Sequence, residues 1–307
     1  MRQRGVALIM AIVMVAIATV LAVRIGTRAS LDLRRTAGLI ALDQGWNVAL
    51  GAEAWAIEVL RKDREDSQTD HFGESWAQPI PPLPVDGGAV RGALEDMEAR
   101  FNLNNLLDDD GKVSESGVAR FERLLENAGA DRRWARIAAD WLDSDTVPGF
   151  PDGAEDGSYL SQNPPYRAAN GPVTTISELM ALPGMTLDEY LRIQPYVAAL
   201  PLGTKMNICT ASAPVLAALV EGGTDFGDAD SLLANRRNGC FPTMQDLQAT
   251  LGTEEFQALQ PAISESSNWF RAVTAVSIGT SELTLYSLIE RNSAGGSRTV
   301  LRSTGTE

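Results

Sequence analysis

"MRQRGVALIMAIVMVAIATVLAVR", residues 1–24, decides the architecture of this 307-residue chain. From Val6 to Val23 it runs eighteen residues without a charge, with Thr19 the one polar side chain. That matches the ~18–20 apolar residues a single helix needs to cross a bilayer. A cleaved secretory signal would carry a shorter apolar stretch and a small-x-small site after it. Here Ala22-Val23-Arg24 leads straight into more helix-forming sequence, so the apolar segment is expected to stay as an anchor. Arg2 and Arg4 ahead of it place the N-terminus on the cytoplasmic side, against the opposing bias of Arg24 and Arg28, and the bulk of the chain then lies outside.

The helical pattern continues beyond the apolar run. "SLDLRRTAGLIALDQGWNVALGAEAWAIEVLRKD", residues 30–63, has no proline and repeats apolar residues at three and four, the period of an amphipathic helix. A spine from Val6 to Lys62 would approach ~85 Å, unless Gly38, Gly45 and Gly51 divide it into two helices with a bend. "QPIPPLPVDGG", residues 78–88, reads as a surface connection because proline cannot donate to a helix or a central ladder. "AVRGALEDMEARFNLNNLL", residues 89–107, is expected to pair as a hairpin before Asn102–Asn105 turn the chain. Ser114–Asp143 reads as two helices broken near Gly129, and residues 145–172 as a long irregular acidic loop. Shorter helices are expected over 175–197, 211–221, 228–237 and 243–259, each opened by a capping Ser, Thr or Asp. "WFRAVTAVSIGTSELTLYSLIERN", residues 269–292, and "SRTVLRS", residues 297–303, are β-branched with partial alternation and close the chain as strands. The plan is α+β: spine, sheet, inserted helical block, sheet.

Composition excludes several functions. The formal charge of -14, about -16 if Arg2 and Arg4 are lost, repels nucleic acid. Cys209 and Cys240 are far from CxxC spacing, so thiolate metal chemistry is not expected and one disulfide in an oxidising periplasm is, stabilising by roughly 3–4 kcal/mol on the loop-entropy model. His71 is the single imidazole, in "SQTDHFGES" beside no nucleophile motif, and there is no GxSxG, Walker loop or HExxH. No enzymatic activity is expected. Six carboxylates, Asp140, Asp143, Asp145, Asp152, Glu155 and Asp156, crowd seventeen residues. They do not flank a cleft as a glycosidase pair would. Calcium accepts six to eight oxygens in irregular geometry, and no His or Cys stands nearby to draw zinc or copper; the spacing is not an EF-hand, and a merely solvated acidic loop remains the other reading.

Taken together, "RQRGVALI", "RFNLNNLL", "DWLDSDTVPGFPDGAEDGSYL", "ISELMALPGM" and "NICTASAPVLAAL", in this order, resemble the type II secretion minor pseudopilin K family over nearly the whole chain. The resemblance implies a pilin-like fold, a long N-terminal helix on an antiparallel sheet with a large inserted all-α domain. Its division would be a leader at 1–5, a membrane helix at 6–28, the pilin-like part at 29–105, the helical insertion at 106–266 and closing strands at 267–307. It implies cleavage by the prepilin peptidase between Gly5 and Val6, although Val6 stands where relatives begin with Phe or Met. N-methylation of the new terminus would follow. It implies a single-pass inner-membrane protein with its globular part in the periplasm, joining I- and J-type minor pseudopilins, and other pseudopilins, at the pseudopilus tip. Calcium is implied at Asp143, Asp145, Glu155 and Asp156, with Asp140 and Asp152 beside them. Met10 occupies the position where most pilin-like subunits carry glutamate, as is typical of K-type members. A carboxylate in hydrocarbon needs a partner, and a neutral Met10 frees the subunit to sit first.

A rival reading is a membrane-anchored, competence-type DNA-binding module, because "ISELMALPGMTLDEY" and residues 207–247 look like helix-hairpin-helix sequences. Gly184 is followed by Thr186, Asp188 and Glu189, which would repel the phosphates such hairpins hold. Arg236 and Arg237 are the remaining basic spot.

Overall fold

The computed structural model describes residues 3–223, 226, 228–292 and 296–304, with the side chains of residues 3–5 and of Asn238 outside that description. Of the expected processing junction, Gly5 therefore lies outside the described side chains, as do Arg2 and Arg4, and Val6 is the first within them. The helix α1 (Gln3–Asp66) is unbroken over 64 residues, which at 1.5 Å per residue makes it about 96 Å long. The bend held open by Gly38, Gly45 and Gly51 does not occur: Gly38 and Gly51 face open space, and a Cβ at Gly45 would meet Val276 and Ile278 only at ordinary contact distance, so no neighbour forces a kink at any of the three. Its apolar front half is unburied, long and apolar enough to cross a membrane. Its back half lays a stripe of Ala49, Glu53 and Leu60, all buried, onto a sheet.

That sheet has five antiparallel strands in sequential order, β1 (Leu83–Val85), β2 (Gly88–Asp96), β3 (Trp269–Ile278), β4 (Ser281–Arg291) and β5 (Ser297–Thr304). Alternation puts Phe270, Ala272, Val276, Leu285 and Ile289 against the helix, with Leu60 and Trp76 closing the far end of the interface. Glu53 is buried on the same stripe because it accepts from Ser287 Oγ at 2.5 Å and from both Arg302 nitrogens at 2.7 and 2.8 Å. Burial alone would raise its pKa, but these donors hold it below the ordinary glutamate value.

The expected hairpin within residues 89–107 does not form. β2 instead pairs along its length with β3, Gly88↔Ile278 to Asp96↔Phe270, and turns back on β1 through Asp86-Gly87. Gly87 has φ +79°, a conformation that other residues adopt only at a cost. The proline-rich connection thus contributes a strand, and Pro84 is tolerated there because β1 is at the edge. Asn102–Asn105 are not a solvent-facing turn either. Asn104 Nδ2 donates to Leu200 O at 2.7 Å and Val173 O at 3.0 Å, and Asn102 Nδ2 to Pro201 O at 2.8 Å. These amides fasten the chain into the helical block, where Phe101, Leu103 and Leu106 are core residues; the block's packing therefore begins ahead of residue 106.

Between β2 and β3 runs α2 (Glu115–Asn127), α3 (Arg133–Leu142), α4 (Asp156–Leu160), α5 (Leu187–Ile193), α6 (Ala213–Ala217), α7 (Ala229–Asn235), α8 (Met244–Leu251) and α9 (Thr253–Leu259). α2 and α3 bury Phe121, Leu124, Trp134 and Leu142 in one core. The break near Gly129 is real, with φ +70° at that glycine. Side-chain caps open α2, α5, α7 and α8. Two departures occur: Ser212 makes no side-chain cap at α6, and the single helix expected over 243–259 is divided at Gly252 into α8 and α9. A disulfide joins Cys209 to Cys240 across the block. Thr243 and Asp246 form a reciprocal capping box at α8, so Thr243→Ala is expected to cost about 1 kcal/mol, read as a lowered midpoint in urea unfolding of the full chain.

Sheet and block meet at a buried polar junction. Arg291, 1% exposed, donates to Asp70 at 2.5 and 2.6 Å, to Asp63 Oδ2 at 3.1 Å and to Ser267 O at 2.7 Å. Asp96 Oδ2 accepts from Thr210, Ser267 and Asn207 at 2.6, 2.7 and 2.9 Å. Acids outnumber cations here. Burial, then Glu74 and Asp70, push Asp63 up to about 7, and burial pushes Glu98 up to about 8. Such groups bind more protons folded than unfolded, so stability falls as pH rises. The unfolding free energy of the full chain is expected to decline from about pH 4 to about pH 8. Urea unfolding across that range checks it, and Glu98→Gln should flatten the slope.

Candidate metal centre

The acidic segment is assembled by the end of α3. Its apolar face buries Trp134, Ala138, Trp141 and Leu142, which carries Asp140 inward one turn before Asp143 caps the helix C-terminus. Asp140, 1% exposed, accepts from Gly149 N at 2.8 Å, and burial raises its pKa against the lowering effect of the Gly149 and Ala154 amides and Arg136. This single carboxylate folds the loop over itself. A Cβ added at Gly153 would lie 2.2 Å from Asp140 Oδ2, and one at Gly149 would lie 2.7 Å from Arg136 Cδ; both positions need glycine to let the backbone come this close.

Three carboxylates converge above Asp140. Ligand atoms of Asp143, Asp145 and Glu155 all lie within 4.8 Å of one another. Asp143 and Glu155 are 4% and 5% exposed, and Asp143 Oδ1 and both Glu155 oxygens are buried without a hydrogen-bond partner. Orphaned anionic oxygens at one point are costly unless a cation meets them. Burial, then Asp145 and Asp140, push Asp143 up to about 6; burial, then Asp140, Asp143, Asp145 and Asp156, push Glu155 up to about 7. The all-oxygen donor set fits a hard divalent cation.

Other expected ligands lie apart. Asp156 accepts from Ala168 N at 3.2 Å and pairs with Arg167 at 3.2 Å, so its charge is already engaged. Asp152 is exposed and outside the converging group, and Asp140 spends an oxygen on Gly149. Sequence reasoning passed over two residues. Asn170, at φ 46°, donates from Nδ2 to Asp145 O at 3.0 Å, tying the far end of the loop to the site. Tyr159 packs its ring on Trp141 at 5.0 Å and buries its hydroxyl without a partner; burial first, then Tyr166, Asp140 and Glu155, raise its pKa. The glycines bracketing "GFPDG", 149–153, were the available signal for the tight loop; nothing in the sequence marked Asn170.

Among the described residues a second acidic group exists at the junction, Asp63, Asp70 and Glu74. Arg291 already stands in it, within 3.1 Å of Asp63 and 2.5 Å of Asp70. Among the described residues, Asp143, Asp145 and Glu155 have no such internal counter-ion.

Two family models, both described as type II secretion system (T2SS), protein K, match residues 99–202 and 206–266. The chain is 35% identical over 314 residues to type II secretion system protein K of Pseudomonas aeruginosa, covering 99% of this chain and 93% of that one. It is 32% identical to the protein of the same name from Pectobacterium carotovorum, over 94% of this chain and 92% of the relative. A chain of the crystallised GspK-GspI-GspJ complex from enterotoxigenic Escherichia coli matches with TM-score 0.78 and 26% identity, covering 89% of this chain and 100% of that chain.

Proposed function

The chain belongs to the type II secretion system protein K family, and we infer from this that it is the minor pseudopilin at the tip of the secretion pseudopilus, supporting export of folded proteins. The observation that carries this reading is α1, whose bare apolar front half continues without a break into the stripe that holds the sheet. A filament of such subunits packs helix on helix, and a subunit with Met10 in place of an acid, 57% exposed on α1, requires no neighbour ahead of it. The helical block between β2 and β3 is the bulk that would stop a further subunit from adding. Its role is structural and assembly-related, with no catalytic step.

The solved relative is a complex of GspK with GspI and GspJ, which supports I- and J-type minor pseudopilins as this chain's partners. Prepilin peptidase would cut between Gly5 and Val6, and Val6–Val23 would hold the protein in the inner membrane with the globular part in the periplasm. Calcium would be held by Asp143, Asp145 and Glu155, neutralising a loop whose burial pushes Asp143 and Glu155 well above the ordinary carboxylate range. The DNA-binding reading has nothing to support it: α5 opens with Asp188 and Glu189 in its first turn, and Arg236 is buried on the carbonyls of Phe241 and Ile208.

The test is co-purification of the full chain with I- and J-type pseudopilins in detergent, together with export in a strain lacking the chromosomal copy. A stable ternary complex and at least a tenfold loss of export in the null strain are expected. Independent migration of the three chains with export intact would overturn the reading.

A further inference from the structure

Phe150 is 90% exposed, more than any other large hydrophobic residue described, and Val147 in the same loop is 71% exposed. Loose tethering does not account for this. The loop is held at four points: Val147 N donates to Asp145 Oδ1 at 2.7 Å, Gly149 N to Asp140 Oδ2 at 2.8 Å, Gly153 N to Gly149 O at 2.6 Å and Asn170 Nδ2 to Asp145 O at 3.0 Å. Asp140 is itself buried in the helical core. The backbone on either side of Phe150 is drawn inward at Gly149 and Gly153, where no side chain fits, so the aromatic ring between them is forced outward. An apolar side chain kept in water by a tightly specified backbone marks a contact that another molecule completes.

We propose that Val147 and Phe150 form a docking prong that inserts into a concave apolar pocket with a cationic rim on a partner protein met ahead of the pseudopilus tip. This rests on the tip reading above. The prong is convex, so its complement is a pocket. The exposed carboxylate of Asp152 flanks it on a chain of net charge -14, so complementarity asks for Lys or Arg around that pocket and disfavours an anionic bilayer.

Full-length Phe150→Ser and Phe150→Trp are expressed in the strain lacking the native copy. Phe150→Ser is expected to lower export at least tenfold while co-purification with the I- and J-type pseudopilins and the calcium-dependent melting shift stay as in the parent; Phe150→Trp should restore export to within about threefold. Export within twofold of the parent for Phe150→Ser, in a background where the null strain fails, overturns the prong alone, whereas normal export in the null strain overturns the tip reading. Loss of co-purification would place the prong inside the tip complex and overturn docking ahead of it. Quenching of the tryptophan in Phe150→Trp, over that of the parent, when the full chain is reconstituted in vesicles containing brominated phosphatidylglycerol would assign it to a bilayer and overturn a protein pocket.

Discussion

Exchange of Arg291 for methionine is expected to lower the unfolding free energy by about 3–5 kcal/mol, the loss found when one member of a buried ion pair is removed and the other stays. Arg291 is 1% exposed and touches Asp63, Asp70, the Leu60 and Ser267 carbonyls and, at 4.8 Å, the Phe270 ring. Those groups come from α1, the following loop, β3 and the segment leaving the helical block, so one side chain fastens four parts of the fold. Methionine fills similar volume, which keeps the cavity term small and isolates the charge. For a domain of this size the change corresponds to a drop of roughly 6–20 °C in melting temperature. Arg291→Lys should recover part of it, since an ammonium keeps the charge but not the fork that spans both carboxylates. A loss below about 1 kcal/mol would mean that Asp63, already pushed up to about 7, simply takes up a proton when the guanidinium leaves.

The second large effect is calcium. Melting of the full chain in detergent is expected to rise on adding calcium and fall with chelator, by about 3–4 kcal/mol at free calcium 100 to 1,000 times the dissociation constant. Glu155→Gln should abolish most of that difference, because both Glu155 oxygens are buried and unpartnered. Asp156→Asn should leave it nearly intact, since Asp156 faces Arg167 and the Ala168 amide. An identical melt with and without chelator removes the site, and an equal loss in both variants would put Asp156 back among the ligands.

The helix and the closing strands were legible because their signals are long and periodic: eighteen uncharged residues, then a three-four repeat, then two β-branched runs. β1 was hidden behind its prolines. A three-residue edge strand hydrogen-bonded on one side tolerates Pro84, so a residue that breaks central strands said little there. The asparagines at 102–105 misled for a related reason. Asn in a turn and Asn buried as a bridge to distant carbonyls look alike in sequence, and the bridge depends on Val173, Leu200 and Pro201, some seventy to a hundred residues away. At the metal centre, the type of residue was readable but the selection was not. Which three of six carboxylates converge is set by Asp140 pulling Gly149 inward and by Arg167 drawing Asp156 off, both tertiary facts.

The unbroken α1 also fixes a clearance. The apolar run ends at Val23 and the first residue packed against the sheet is Ala41, which leaves seventeen residues, Arg24 to Ile40, as bare rod. At 1.5 Å per residue that is about 26 Å. Were Val6–Val23 seated in a bilayer, the folded head would ride clear of the headgroups on a stiff stem. The open zone beneath it would then be wide enough to admit another protein's helix or small domain from the side.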